Sequence, residues 1–387
     1  MKLLVKSGFI ATAALLGSSP VWAQSSITLF GLIDSGITYA SNVGGASRTS
    51  FGDGVFAPNL WGLKGQEDLG GGFKAVFQLV NQFNLGSGSM LVANTLFSRE
   101  AWVGLSSIQY GALTFGSQYD FMVDSLTAAQ NSPFVGSGGL YVFPAGPFAA
   151  LGLVKGTYAG FPGSAGIVPG VAAPPVAGLQ DFNWDRTAGG NAVPNSVKYV
   201  TPDLDGFKAG AMYSFGGEAG AFGAGSALSV GANYAHGPFG IGAAYLSMKP
   251  TVYNSMPVRW WGVGAHYQFD ALTLVGNATG VHNSVNGATL YQGSIGATYS
   301  IQPDFILGGA YTYMKGNAYL SNNHANQFAL ALNHPLSKRT VVYVQAAYQM
   351  TNANAPYTPS GGATFTDIGQ SSADNQFIAR VGLFHSF

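Results

Sequence analysis

The chain has 387 residues, 16 basic and 16 acidic side chains, 56 glycines, 26 phenylalanines, 19 tyrosines and no cysteine. The missing cysteine excludes thiolate metal sites, thiol catalysis and a disulfide framework, and only 8% charged residues at net zero give no basic surface for nucleic acid. Glycine at about twice its usual share argues against a helical protein.

Residues 1–23 read as a secretory signal peptide: Lys2 and Lys6, an apolar run from Phe9 to Leu16, then small residues at Val21 and Ala23 before the cleavage point. That run is too short to span a bilayer, and no later stretch free of charge, Gly and Pro is long enough, so a membrane form of residues 24–387 has to cross with strands. From Ser26 to Ala40 the residues alternate, with Ile27, Leu29, Gly31, Ile33, Ile37 and Tyr39 on one face and Thr28, Asp34 and Thr38 on the other. The same alternation places strands at 26–40, 60–69, 73–84, 95–106, 109–118, 194–201, 206–215, 227–236, 239–249, 257–269, 271–281, 290–301, 304–315, 325–333, 340–350 and 375–387. Connections alternate between long loops (41–59, 85–94, 351–374) and short turns (70–72, 107–108), as in outer-membrane barrels with short periplasmic turns and longer external loops. The last predicted strand carries Phe377, Ala379, Val381, Leu383, His385 and Phe387 on one face, apolar toward lipid, with Phe387 at the membrane boundary. The expected fold is therefore all-β, a 16-stranded antiparallel transmembrane barrel.

The third long connection, 119–193, stands apart. It is rich in proline and charge-poor from Pro162 to Leu179. A connection of this length is usually functional or disordered, so the readings are a mobile external lid, an extra hairpin, or a loop folded into the lumen.

Six segments in order carry a family resemblance: Ser26-Ile-Thr-Leu-Phe-Gly-Leu-Ile-Asp34; Gly62-Leu-Lys-Gly-Gln-Glu-Asp-Leu-Gly70 leading into Phe73-Lys-Ala-Val-Phe-Gln-Leu79; Leu96-Phe-Ser-Arg-Glu-Ala-Trp-Val-Gly-Leu105; Asn195-Ser-Val-Lys-Tyr199; Leu336-Ser-Lys-Arg-Thr340; and Val381-Gly-Leu-Phe-His-Ser-Phe387. Together they resemble the general diffusion porins of Gram-negative bacteria, in their proteobacterial trimeric branch. The resemblance implies a homotrimer in the outer membrane, in contact with its lipid and lipopolysaccharide and inserted by the barrel-assembly machinery, with Phe387 as the assembly terminus. It also implies a water-filled channel for ions and small hydrophilic solutes, needing no cofactor, whose third loop narrows the pore between basic wall and acidic loop residues. Carried over residue by residue, Arg99 is the wall arginine of the Leu-Phe-x-Arg motif, the other reading being a rim charge tied to Glu100. Arg186 resembles the arginine before the Asn-Ser-Val strand, though further upstream than usual, and Asp120 and Asp124 stand where the loop would supply acid.

Alternation alone points Lys64, Lys74, Lys198 and Asp34 toward the lumen. Four charges usual in the family are absent, the positions being held by Leu60, Val80, Ser117 and Phe384. Leu60, Val80 and Phe384 face the lumen by alternation, which predicts a weakened field and weak ion selectivity. A substrate-specific channel with a saturable site is the alternative. A barrel enzyme with a Ser or Asp and His constellation at its rim is the rival class, and metal chemistry has little support, because His236, His266, His282, His324, His334 and His385 show no HxH or HxxxH spacing and there is no cysteine.

Overall fold

The computed structural model describes residues 25–92, 94–133, 148, 151, 184–187, 192–249, 255–352, 364–365 and 368–387. The expected signal peptide, residues 1–23, and most of 119–193 lie outside the described residues. The strands are β1 (Ser26–Val43), β2 (Ala46–Asp53), β3 (Leu60–Gly70), β4 (Phe73–Gln82), β5 (Glu100–Ser107), β6 (Gly111–Gln118), β7 (Val193–Val200), β8 (Phe207–Ser214), β9 (Ala227–His236) and β10 (Phe239–Met248). They continue with β11 (Val258–Phe269), β12 (Leu272–Asn283), β13 (Thr289–Gln302), β14 (Phe305–Gly316), β15 (His324–Pro335), β16 (Thr340–Thr351), the two-residue β17 (Thr364–Phe365) and β18 (Gly369–Gln370), and β19 (Asn375–Ser386).

Each long strand pairs antiparallel with the next, and β1 closes the ring by pairing with β19 from Leu32↔Ser386 to Ala40↔Ile378. The other edge of β1 is shared: Ser26–Leu32 pairs with β3, and Ser35–Val43 pairs with β2. β2 therefore occupies the wall position above β3, and sixteen strands close the barrel. The stretch 41–59, expected as a loop, contains this strand, because Gly44 and Gly45 take φ of +62° and +106° and turn the chain straight back. The strand expected over 95–106 is β5, which begins only at Glu100 and leaves Arg99 in the loop just before it.

Burial is inverted relative to a soluble sheet protein. Ile27 is 71% exposed, Ile295 66% and Leu330 60%, whereas the opposite-facing Thr38, Ser229, Thr279, Gln327 and Gln349 are buried. Water would not tolerate that apolar band, while a bilayer supplies its solvent and the inner face keeps the polar groups. Ring pairs on the outer face cluster toward the two ends, Tyr267 with Phe269 and Phe305 with His334 at the short-turn rim, and Tyr213 with Phe215 and Phe222 at the long-loop rim. This matches the aromatic girdles of membrane barrels. Among the described residues no helix is long and apolar enough to cross a membrane.

Candidate functional site: the inner wall and its ion pairs

The described start of the long connection lies against the face of β8–β11 opposite the lipid-type residues. Phe121 donates its backbone N–H to Ser229 Oγ (3.1 Å), and a single π-helical turn at Val123–Thr127 brings Met122, Ser125 and Leu126 onto β9, β10 and β11. Asn131 donates from Nδ2 to the Ser125 carbonyl (3.1 Å), so its Oδ1 is left to accept from His266 Nδ1 (2.8 Å). Phe121, Met122 and Leu126 join Trp184, Met212, Leu246 and Trp260 in the main apolar cluster of the described residues.

Around this segment the expected charges meet in contact pairs. Lys198 on β7 forms an ion pair with Asp124, donates to the Tyr119 carbonyl (2.8 Å) and lies 5.1 Å from the Phe121 ring centroid. Arg186 donates from Nε to Asp120 Oδ2 at 2.5 Å, both side chains being almost wholly buried, and its guanidinium lies 5.9 Å from the Trp260 ring centroid. Arg186 has φ +67°, a left-handed conformation that costs a non-glycine residue on the order of 1 kcal/mol, and the buried pair with Asp120 holds it there. Asp185 beside it is buried, accepting from Thr187 N (3.1 Å), Thr187 Oγ1 (2.8 Å) and Thr279 Oγ1 (2.9 Å). Burial pushes its carboxyl above the usual range, against the lowering effect of those bonds.

Arg99 is buried, donating from Nε to Gln82 Oε1 (2.5 Å) and from Nη1 to Tyr119 Oη (3.0 Å). Burial pushes the Tyr119 hydroxyl up to about 12. Arg99 is thus held by neutral groups and not by Glu100, whose carboxylate accepts instead from Gln78 Nε2 (2.5 Å) and Trp102 Nε1 (3.1 Å).

A third set sits on β1, β16 and β19. Arg380 lies 3.4 Å from Asp34, with both side chains at 0% exposure, and donates to Tyr343 Oη (2.9 Å), Thr38 Oγ1 (2.9 Å) and the Gly52 carbonyl (3.0 Å). Asp34 also accepts from Tyr343 Oη (2.5 Å), Val55 N (2.7 Å) and Phe56 N (3.0 Å), which folds residues 54–59 over the inner face. There Phe56 stacks on Tyr343 (4.8 Å) and leans on Phe384 (5.5 Å). Phe384 and Leu60 are half-buried on the inner face, whereas Asp34 and Asp120, expected as lining, are covered by their own partners. Lys64 stays exposed 5.2 Å from the Phe30 ring centroid, and Lys74 lies opposite Asp68 near the short-turn rim, away from the other charges. Arg380 and Tyr343 were not singled out from sequence. Alternation puts Arg380 on the polar face of β19, but Asp34, Thr38 and Gly52, which meet it, come from the far end of the chain.

In register the inner face of β9–β16 offers Ser229, Asn233, Asn277, Thr279, Ser294, Thr312, Gln327, Gln345 and Gln349 among small and apolar residues. Among Asp, Glu, Lys, Arg and His, the described strands place only His266 on that inner face. Charge is concentrated on the other half of the wall. Among the described residues no cluster could hold a metal ion.

A Gram-negative porin family matches residues 11–354. An outer membrane porin protein of Bordetella pertussis is 28% identical over 380 residues, covering 90% of this chain and 86% of its own length. Outer membrane porin protein 32 of Delftia acidovorans is 26% identical over 404 residues, covering 99% of this chain and all of its own. Among solved structures, the anion-selective porin from Comamonas acidovorans superposes with a TM-score of 0.71 at 24% identity, over 94% of this chain and 100% of that one. An outer membrane protein of Vibrio cholerae in a trimer form superposes at 0.60 with 14% identity, over 94% and 99%.

Proposed function

Because the chain belongs to the Gram-negative porin family and is an outer-membrane channel for passive diffusion, we propose that its ion selectivity is weak. The observation that carries this reading is the direct contact of Lys198 with Asp124, Arg186 with Asp120 and Arg380 with Asp34. A transverse field needs opposite charges separated across water. Charges in contact form short dipoles whose fields fall off within a few ångströms, and salt screens what remains within about 8–10 Å. Arg99, bonded to neutral groups, and the exposed Lys64 leave a mild preference for anions, in the direction of the Comamonas porin.

Residues 119–133, at the start of the long connection, narrow the lumen on the β8–β11 side, while residues 54–59 cover the inner wall at Asp34 on the other. The pore thus admits small neutral solutes as readily as ions. The protein works as a homotrimer, in line with the trimer form of the Vibrio cholerae protein. The test is reversal potential across a planar bilayer under a KCl gradient, with liposome swelling in neutral and charged solutes of matched size. A potential near zero with a slight anion bias supports the reading. A strong preference for either sign would refute it.

A further inference from the structure

On the inner face, Gly210 of β8 pairs with Gly231 of β9, Gly231 with Ala244 of β10, and Ala244 with Gly262 of β11. Two residues along the strands, Gly242 pairs with Gly264. Five glycines and one alanine thus make a patch with almost no side chain across four strands. Glycine inside a strand costs roughly 0.5–1 kcal/mol relative to alanine, and it commonly marks a place where another backbone comes close. Here what comes close is residues 121–131. A Cβ on Gly242 would overlap the Ser125 carbonyl oxygen, and one on Gly264 the Asn131 carbonyl oxygen. One on Gly210 would overlap the Phe121 ring, one on Gly231 would sit 2.5 Å from Phe121 Cβ, and one on Gly262 2.5 Å from Leu126 Cδ1. By contrast, Gly293 on the lipid-side face has nothing within 4 Å of an added Cβ.

We propose that this glycine patch is a moulded seat that fixes how far the third loop projects into the pore, so that Gly242, Gly264 and Gly262 are positioning residues for the size of the aperture. The proposal rests on the reading that the loop narrows the lumen, and it adds what sets the degree of narrowing. The polar links Phe121 to Ser229 and Asn131 to His266 fix the loop along the wall. The missing side chains fix its height above it. Since carbon atoms pack at about 3.5–4.0 Å, an added methyl at Gly262 displaces Leu126 Cδ1 by about 1 Å, whereas methyls at Gly242 and Gly264 press directly on the loop's backbone carbonyls.

The test is single-channel conductance and neutral-polymer exclusion for Gly242→Ala/Gly264→Ala, Gly262→Ala, Gly262→Ala/Leu126→Ala and Gly293→Ala, each first shown to run as a heat-dissociable assembly. Deletion of residues 134–183 serves as the measure of the loop itself. The expected results are a lower conductance and smaller exclusion size for the first two, recovery toward wild type in the Leu126→Ala pair, and no change for Gly293→Ala. A structural role alone would not be rescued by shortening Leu126. If the deletion widens the pore while both glycine variants conduct as wild type, the seat is refuted and the loop reading stands. If the deletion leaves conductance unchanged, the loop reading itself fails and the seat with it. Should the double glycine variant not assemble, the Gly262 and Leu126 comparison decides alone, and equal conductance of its two members would overturn the proposal.

Discussion

Replacing Arg380 by alanine tests how the β1–β16–β19 region is held. The side chain is at 0% exposure and faces Asp34, also at 0%, so its removal leaves a carboxylate buried without its counter-charge. Breaking a buried pair in this way costs about 3–5 kcal/mol. Asp34 keeps three bonds, from Tyr343 Oη, Val55 N and Phe56 N, which places the expected loss near the lower end, about 3 kcal/mol. Part of that cost is independent of Asp34, because Thr38 Oγ1 and the Gly52 carbonyl lose a donor as well. In a double-mutant cycle with Asp34→Ala, coupling on the order of 1–3 kcal/mol is expected, with Arg380→Ala costing less once the carboxylate is gone. The assay is equilibrium urea unfolding in liposomes, followed by tryptophan fluorescence. If Arg380→Ala destabilises equally in both backgrounds, the carboxylate does not need the guanidinium, and the account of the site is wrong.

Other expectations follow from the remaining pairs. Lys198→Gln leaves Asp124 without its partner cation and shifts the reversal potential toward cations, whereas Lys198→Gln with Asp124→Asn returns it near the wild-type value. Asp185 has a raised carboxyl pKa in the fold, so the folded protein binds its proton more readily than the unfolded chain and attachment of residues 184–187 weakens as pH rises through that value. External protease should therefore cut near residues 184–187 more slowly as pH falls toward the ordinary carboxylate range; Asp185→Asn should flatten that dependence, and an unchanged slope would contradict it. Phe387 exchanges both backbone bonds with Gly31 (3.1 Å each) and lays its ring where a Gly31 side chain would be. Because Phe387 is 42% exposed, Phe387→Ala should cost only about 1–2 kcal/mol, read as a lower heat-dissociation temperature.

Most of the wall was legible because its solvent imposes a period of two: Ile27, Leu29 and Ile37 face lipid while Thr28, Asp34 and Thr38 face in, although one strand shows only the alternation and the pattern of long and short connections was needed to read the apolar side as lipid. β2 was missed since Ala46-Ser-Arg-Thr-Ser-Phe-Gly-Asp53 carries no apolar alternation, although Gly44-Gly45 marked its turn. Arg99, Lys198, Arg186, Asp120 and Asp124 could be nominated one by one, but that they meet as Lys198–Asp124 and Arg186–Asp120 depends on where residues 120–124 and 186 come to lie against the wall. The same holds for the glycine patch. Gly210, Gly231, Gly242, Gly262 and Gly264 are spread over 55 positions of a glycine-rich chain, and only strand register makes them neighbours.

The pairing of β1 with β19 joins Leu32 to Ser386 and Ala40 to Ile378, partners separated by well over three hundred residues, whereas the other wall pairs join strands close to one another in chain order. Hairpins such as β11–β12 can zip locally, but this one seam gains its bonds only after the whole ribbon has curled. Its loop-closure entropy grows slowly with length, so the penalty lies less in stability than in rate. Until the seam forms, both β1 and β19 are open sheet edges with unpaired backbone groups, the state most prone to pairing with another chain. Refolding should thus show fast hairpin formation followed by a slow closing phase that deepens at high protein concentration, and the seam is the place where a misassembled barrel would first be caught.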